Sequence, residues 1–144
     1  MKKYFADYVV PSAGQVLETM FFTGVEAVAE QTSFACDETI ARTVRFEGPP
    51  NGEFCVGLPH QTAAALASSF LGLDPEEIST SDCEQIAEEL ANMICGSVLS
   101  HYAPQGSFHL EGIESSACER ECDFCVSLEL PEGGLNICAR IDPS

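Results

Sequence analysis

Hydrophobic residues recur at helical spacing near the start of the chain. Val16, Met20 and the pair Phe21 and Phe22 repeat at this spacing. This spacing predicts a helix over residues 11–27 with Pro11 in its first turn, where the missing N–H of proline has no helical partner to lose. The first element is therefore expected to be a long helix.

Alternating polar and apolar residues come next. Within residues 41–47, Val44 and Phe46 alternate with polar or charged neighbours, which predicts a strand with one buried face. A loop rich in glycine and proline, residues 48–52, separates it from a second predicted strand over residues 53–58. Two strands joined by so short a loop are expected to pair as an antiparallel hairpin.

Two further helices are predicted in the middle of the chain. Small and apolar residues repeat over residues 60–71 and stop at a glycine, which predicts a short amphipathic helix, and residues 73–79 are expected to form a turn. A long helix is then predicted from about residue 81 to residue 102. Ser81 and Glu84 have the spacing of a capping box at its start.

The last third of the chain has the alternation of strands. We predict strands over residues 107–113, 122–130 and 135–141, with a turn at residues 131–134 that joins the last two as a hairpin. Helix, two strands, two helices and three strands predict an α/β (α+β) fold: an antiparallel sheet covered by two long helices and one shorter helix. Residues 1–144 are expected to form a single domain.

The composition limits the possible partners and the cellular location. The 144 residues include 23 Asp and Glu but only 6 Lys and Arg, a formal net charge of −17. A basic stripe for nucleic acid or for an anionic membrane surface therefore cannot be assembled. Asp7 interrupts the apolar run that a signal peptide requires, and no stretch reaches the roughly 18 apolar residues of a membrane span. We expect a cytoplasmic protein whose 8 cysteines are reduced thiols.

The long helix near residues 81–102 has a stripe of unusual residues. One broad apolar side consists of Ile86, Leu90, Ile94 and Val98. A different side carries what we call the polar stripe: Gln85, Glu89, Asn92 and Gly96. Glycine inside a helix costs about 1 kcal/mol relative to alanine, and close approach of another backbone is one reason to retain it.

An ordinary solvent-facing surface is the simplest interpretation of a Glu and an Asn three residues apart. Asn92, however, is a mediocre helix former placed in mid-helix, away from either end. Its position beside Gly96 favours a functional role for the stripe.

The segment Glu89-Leu-Ala-Asn-Met-Ile-Cys-Gly96 resembles the E-x-x-N signature of the CheX-type chemotaxis phosphatases, relatives of CheC and of the FliY switch protein. The resemblance extends over most of the chain, to residues 15–20, 52–57, 64–72 and 130–134. Two departures from the broader CheC-like pattern are Gln85, where Asp or Ser is usual, and Ser115, where proline is usual.

The resemblance implies a CheC-like fold and hydrolysis of the phospho-aspartate of a CheY-like response regulator. Asn92 would orient the attacking water and Glu89 would pair with the lysine of the regulator, with Gln85 and Gly96 in the docking surface. The protein would need no cofactor of its own, because the Mg²⁺ would belong to the receiver domain of the regulator. The first helix lacks a second E-x-x-N, which implies one site per chain. A homodimer joined through sheet edges is also implied.

Two other interpretations compete with this one. The first is a non-catalytic CheX-like module that binds a response regulator in signalling. The second is a redox or metal sensor, since Cys118, Cys122 and Cys125 form a C-x₃-C-x₂-C spacing found in iron–sulfur proteins. On a regular strand, however, Cys122 and Cys125 would point to opposite faces. Three histidines lack the spacing of a metal site or of a local catalytic pair: His60, His101 and His109.

Overall fold

The computed structural model describes residues 2–30, 39–48, 51–113 and 123–142. Its helices are α1 (Lys2–Phe21), α2 (His60–Leu71) and α3 (Thr80–Tyr102), with a 3₁₀ turn at Pro75–Glu77. Its strands are β1 (Ala27–Glu30), β2 (Thr39–Glu47), β3 (Gly52–Pro59), β4 (His109–Ile113), β5 (Phe124–Leu130) and β6 (Gly133–Ile141).

The strands form one six-stranded sheet in the order β1-β5-β6-β3-β2-β4. All five neighbouring pairs are antiparallel. The two predicted hairpins are confirmed: β2 pairs with β3 as far as Phe46 opposite Gly52, and β5 pairs with β6 as far as Leu130 opposite Gly133. Within the described residues, β1 and β4 are the edges of the sheet.

The hydrophobic core lies between the helices and one face of the sheet. Alternate residues of β3, namely Phe54, Val56 and Leu58, are fully buried on that face. They belong to one core cluster with Leu90 and Ile94 of α3. Full burial of each such side chain stabilises the fold by about 1.5–3 kcal/mol. The predicted α+β fold, an antiparallel sheet covered by helices, is confirmed.

The first helix differs from its prediction at both ends. It begins at Lys2 and contains Pro11 in its interior. The helix extends towards the N-terminus because Val9 is fully buried in the core, and this packing offsets the loss of a backbone hydrogen bond at the proline. It ends at Phe21, which is buried, whereas the next residue, Phe22, is 80% exposed with a left-handed φ of 58°.

Strand β1 was not predicted, and the predicted extension of the first helix to residue 27 is wrong. Val28 of β1 pairs with Leu128 of β5, so the segment is held as a strand by the neighbouring edge. Four residues are too few to show a period in the sequence, and pairing with a neighbour decides their conformation. Strand β5 begins at Phe124, two residues later than predicted.

Candidate functional site

Helix α3 carries the polar stripe, and its start is fixed by a capping box. The Asp82 N–H donates to Ser79 Oγ at 3.0 Å, and the Ser79 N–H donates to Asp82 Oδ2 at 2.9 Å. The predicted box of Ser81 and Glu84 is therefore displaced by two residues. Both pairs have the required spacing of three, and Ser79 is the residue that leaves the helix with extended backbone.

The buried side of α3 agrees with the predicted apolar side. It packs against α1, α2, β2 and β3. Nine of its residues are buried: Cys83, Ile86, Ala87, Leu90, Ala91, Ile94, Cys95, Val98 and Leu99. Because this side is held by the core, the orientation of the opposite side is also fixed.

The polar stripe lies on that opposite side. Gln85 is exposed, and Glu89, Asn92 and Gly96 are half-buried. Within the described part of the chain, the side chains of Gln85, Glu89 and Asn92 make no hydrogen bond or ion pair. A carboxylate and a carboxamide, one turn apart on a rigid helix, are thus available to an external group.

Gly96 is not required by the internal packing of the protein. A Cβ added there would meet its nearest neighbour, the Cδ1 atom of Leu110 on β4, at 3.9 Å, an ordinary contact distance. Among the described residues, no backbone atom from outside α3 lies within 4 Å of that Cβ position. The close approach of a second backbone, expected from the sequence, therefore does not come from the described part of this chain.

One flank of the stripe lies beside strands β2 and β4. The Arg42 guanidinium of β2 lies 3.0 Å from the Glu84 carboxylate on this flank. Further along that flank, Oε1 of Glu88 lies 3.4 Å from the place that a Cβ would take at Gly112 of β4. Two carboxylates, those of Glu84 and Glu88, therefore border the stripe on this flank, and Arg42 is paired with Glu84.

The structure brings together a cysteine and a histidine that are far apart in the sequence. Sγ of Cys83 lies 3.8 Å from Nε2 of His60. Burial raises the pKa of the Cys83 thiol, whereas a nucleophilic cysteine needs a lowered one. His101 packs its ring on Tyr8 and contacts the Ser97 carbonyl at 2.8 Å through Nδ1, which gives it a structural role.

The cysteine motif falls only in part within the structure. Cys118 and Cys122 lie outside the described residues, and Cys125 lies in β5 with its Sγ 2.8 Å from Sγ of Cys138. Among the described residues, no group of three or more His, Cys, Asp or Glu side chains is arranged to hold a metal ion. In the same residues, no helix is long and apolar enough to cross a membrane.

A family comparison assigns residues 40–114, slightly more than half of the chain, to a family described as "Chemotaxis phosphatase CheX". This range includes the whole polar stripe. No curated protein matches the chain.

Solved structures with the same fold cover nearly the whole chain. CheX from a Borrelia burgdorferi complex of CheX, CheY, BeF3 and Mg has a TM-score of 0.74 at 14% identity, covering 96% of this chain and 98% of that one. CheX from Vibrio vulnificus has a TM-score of 0.73 at 14% identity, covering 99% of each chain. A CheC-like chemotactic protein from Shewanella oneidensis has a TM-score of 0.73 at 15% identity, covering 99% of this chain and 100% of that one.

Proposed function

Because this chain belongs to the CheX family of chemotaxis phosphatases, we propose that it hydrolyses the phospho-aspartate of a CheY-like response regulator. The polar stripe of α3 carries this proposal: an amide and a carboxylate lie on its exposed side, without partners among the described residues. The CheX of Borrelia burgdorferi was crystallised in a complex with CheY, which supports a partner of this class.

Asn92 orients the attacking water. An acyl phosphate is already activated, so positioning and charge supply most of the rate that is needed. The carboxamide of Asn92 can accept a hydrogen bond from a water through its oxygen and donate to a phosphoryl oxygen through its nitrogen. A carboxylate in its place would repel the phosphoryl group. The half-buried position on α3 restricts the rotamers of the side chain and so favours one water geometry.

Glu89 docks the helix onto the regulator. Its carboxylate is one turn before Asn92 and pairs with the lysine of the receiver site through a charge-assisted hydrogen bond. Pairing with a cation suits this residue better than the role of base, because a carboxylate close to the phosphoryl group would be repelled. Gln85 and Gly96 complete the docking surface, and Gly96 admits the regulator backbone in the space left beside Leu110.

The protein brings no cofactor to this reaction. The Mg²⁺ that neutralises the phosphoryl oxygens belongs to the receiver domain, and we expect the phosphatase to add only the amide and the carboxylate. A homodimer joined through sheet edges is part of the same proposal.

The test is release of inorganic phosphate from a panel of phosphorylated receiver domains. We expect the wild-type protein to accelerate it and Asn92→Ala to lose about a hundredfold, the loss typical of one positioned polar group. Asn136→Ala removes a half-buried amide from β6 and is the matched control, with an expected rate equal to that of the wild type.

Equal rates for Asn92→Ala and the wild type would remove Asn92 from the mechanism. Binding of phosphorylated receivers without acceleration of phosphate release would instead favour the non-catalytic module. Failure to bind any receiver of the panel would argue against both forms of the proposal.

A further inference from the structure

Three cysteines form one row across the middle of the sheet. Cys55 of β3 lies directly opposite Cys138 of β6, and Cys138 lies directly opposite Cys125 of β5. The order of the strands places β6 between β5 and β3, so Cys138 is the central member of the row. Their positions in the sequence, 55, 125 and 138, give no sign of this arrangement.

The row lies on the sheet face opposite the helices. In β3, Phe54 and Val56 belong to the core cluster under the helices, so Cys55 between them points to the other face. The same alternation applies to Cys125 and Cys138, because they share the register of Cys55. The thiols are thus separated by the sheet from the two buried cysteines of α3.

The geometry of the Cys125–Cys138 pair suits a covalent bond. Directly opposite residues of antiparallel strands have Cα atoms about 4.5–5.5 Å apart, which falls within the range of roughly 4.4–6.8 Å found across disulfides. The two sulfurs are 2.8 Å apart, so they are already in direct contact. Only a small side-chain movement separates this contact from a bond.

We propose that Cys125 and Cys138 are an oxidation site that closes to a cross-strand disulfide in the presence of hydrogen peroxide. Cys125 is the residue oxidised first, because it is 5% exposed whereas Cys138 is 1% exposed. The site lies outside the polar stripe and does not depend on the phosphatase activity.

The reaction balances in two steps. The Cys125 thiol loses its proton, and the thiolate attacks one peroxide oxygen. The O–O bond breaks, a sulfenic acid forms, and the leaving hydroxide takes up that proton to become the first water. The Cys138 sulfur then attacks the Cys125 sulfur, the S–O bond breaks, and the hydroxyl leaves as a second water with the proton of the Cys138 thiol. Two thiols lose two hydrogen atoms and two electrons, and one hydrogen peroxide is reduced to two waters.

The test is mass spectrometry of the full chain, first reduced, then freed of reductant and treated with hydrogen peroxide. Remaining thiols are alkylated after unfolding, and the protein is cleaved after glutamate. Cleavage at Glu129 and Glu132 places Cys125 and Cys138 in separate peptides, residues 122–129 and 133–144. We expect the two peptides to be joined, with a mass two hydrogen atoms below the sum of the two thiol peptides. They should separate on reduction. Fragmentation distinguishes Cys125 from Cys122.

Variants and an internal control sharpen this experiment. Cys138→Ala should abolish the link and leave a sulfenic acid on Cys125 that dimedone traps, and Cys83→Ala should keep the link. Cys95 should stay reduced throughout, because burial raises the pKa of its thiol. Wild-type protein whose Cys125 and Cys138 both remain alkylatable after peroxide would overturn the proposal. So would a link from Cys138 to Cys55, or from Cys122 to Cys138.

Discussion

Gly96 of α3 and Leu110 of β4 leave room for one methyl group between them: a Cβ on Gly96 would lie 3.9 Å from the Leu110 Cδ1 atom. An alanine therefore fits the folded chain at this position. Since a helical glycine disfavours folding by about 1 kcal/mol relative to alanine, a requirement for glycine would have to come from outside the described part of the chain.

Gly96→Ala is expected to raise the free energy of unfolding by up to about 1 kcal/mol and to weaken regulator docking. If Gly96 takes part in docking as proposed, the added methyl group would occupy space needed by the partner backbone. KM for a phosphorylated receiver should then rise more than kcat falls. Gly14→Ala in α1 is the matched control, because a Cβ there meets nothing within 4 Å. It should stabilise α1 by a similar amount and leave KM unchanged. An unchanged KM in Gly96→Ala would contradict the docking role.

Glu89→Gln is expected to lower kcat/KM about tenfold, mainly through KM, because a charge-assisted hydrogen bond contributes about 1.5–3 kcal/mol. The dependence of kcat/KM on salt should also become weaker, since one ion pair is lost. Glu76→Gln removes an exposed carboxylate from the 3₁₀ turn and should behave as wild type. Equal effects of the two substitutions would show that only net charge matters.

Ser79→Ala should lower the free energy of unfolding by about 1 kcal/mol, because the Asp82 N–H loses its acceptor. Ser81→Ala, two residues later on the exposed surface, should change it by less than about 0.5 kcal/mol. Urea denaturation of both variants compares them directly. A larger loss of unfolding free energy in Ser81→Ala than in Ser79→Ala would show that Ser81 is the N-cap, as the sequence predicted.

Asp142 gives a pH dependence of known sign. Its hydrogen bonds from Arg45 at 2.5 Å and Arg140 at 2.6 Å hold the pKa of its carboxyl below the ordinary value. A lowered folded-state pKa stabilises the protein above the unfolded-state pKa, and this contribution disappears as the pH falls through the folded-state value.

Asp142→Asn should therefore lower the free energy of unfolding by about 1–2 kcal/mol at pH 7. This is less than fully buried charge-assisted hydrogen bonds would contribute, because the groups are partly exposed to solvent. The difference from the wild type should shrink as the pH falls below about 4. Asp7→Asn on the exposed side of α1 is the control, with no expected difference at pH 7. Urea denaturation of the variant and the wild type at pH 7 and at a pH below about 4 measures this difference in unfolding free energy. A difference that persists in acid would mean that Asp142 acts through packing.

Elements with a long periodic pattern could be predicted from the sequence. Helix α2 was predicted at residues 60–71, the bounds that the structure gives, because small and apolar residues repeat there before Gly72. The structure buries Leu66 and Ala67 of this set. The apolar side of α3 followed from the same period. The alternation over residues 122–130 likewise predicted strand β5, whose Val126 and Leu128 lie in the core.

Features that depend on tertiary partners could not be predicted. Strand β1 forms because it pairs with β5. From its spacing Phe22 would belong to the first helix, but α1 ends at Phe21 and Phe22 has a left-handed backbone. The cysteine row follows from the order of β5, β6 and β3, which no local spacing contains. The polar stripe could be predicted from helical geometry. The space beside Gly96 could not be predicted, because it depends on where β4 lies relative to α3.

The two edges of the sheet have unequal surroundings. Through Leu110, the polar stripe lies beside β4, whereas β1 is at the other end of the described sheet. If two copies join through β4, their stripes lie side by side, and one bound regulator obstructs the second. If they join through β1, the stripes stay far apart and each copy takes its own regulator. For a dimer joined through sheet edges, as proposed, the stoichiometry of the complex with a receiver domain, two to one or two to two, would therefore identify the joining edge.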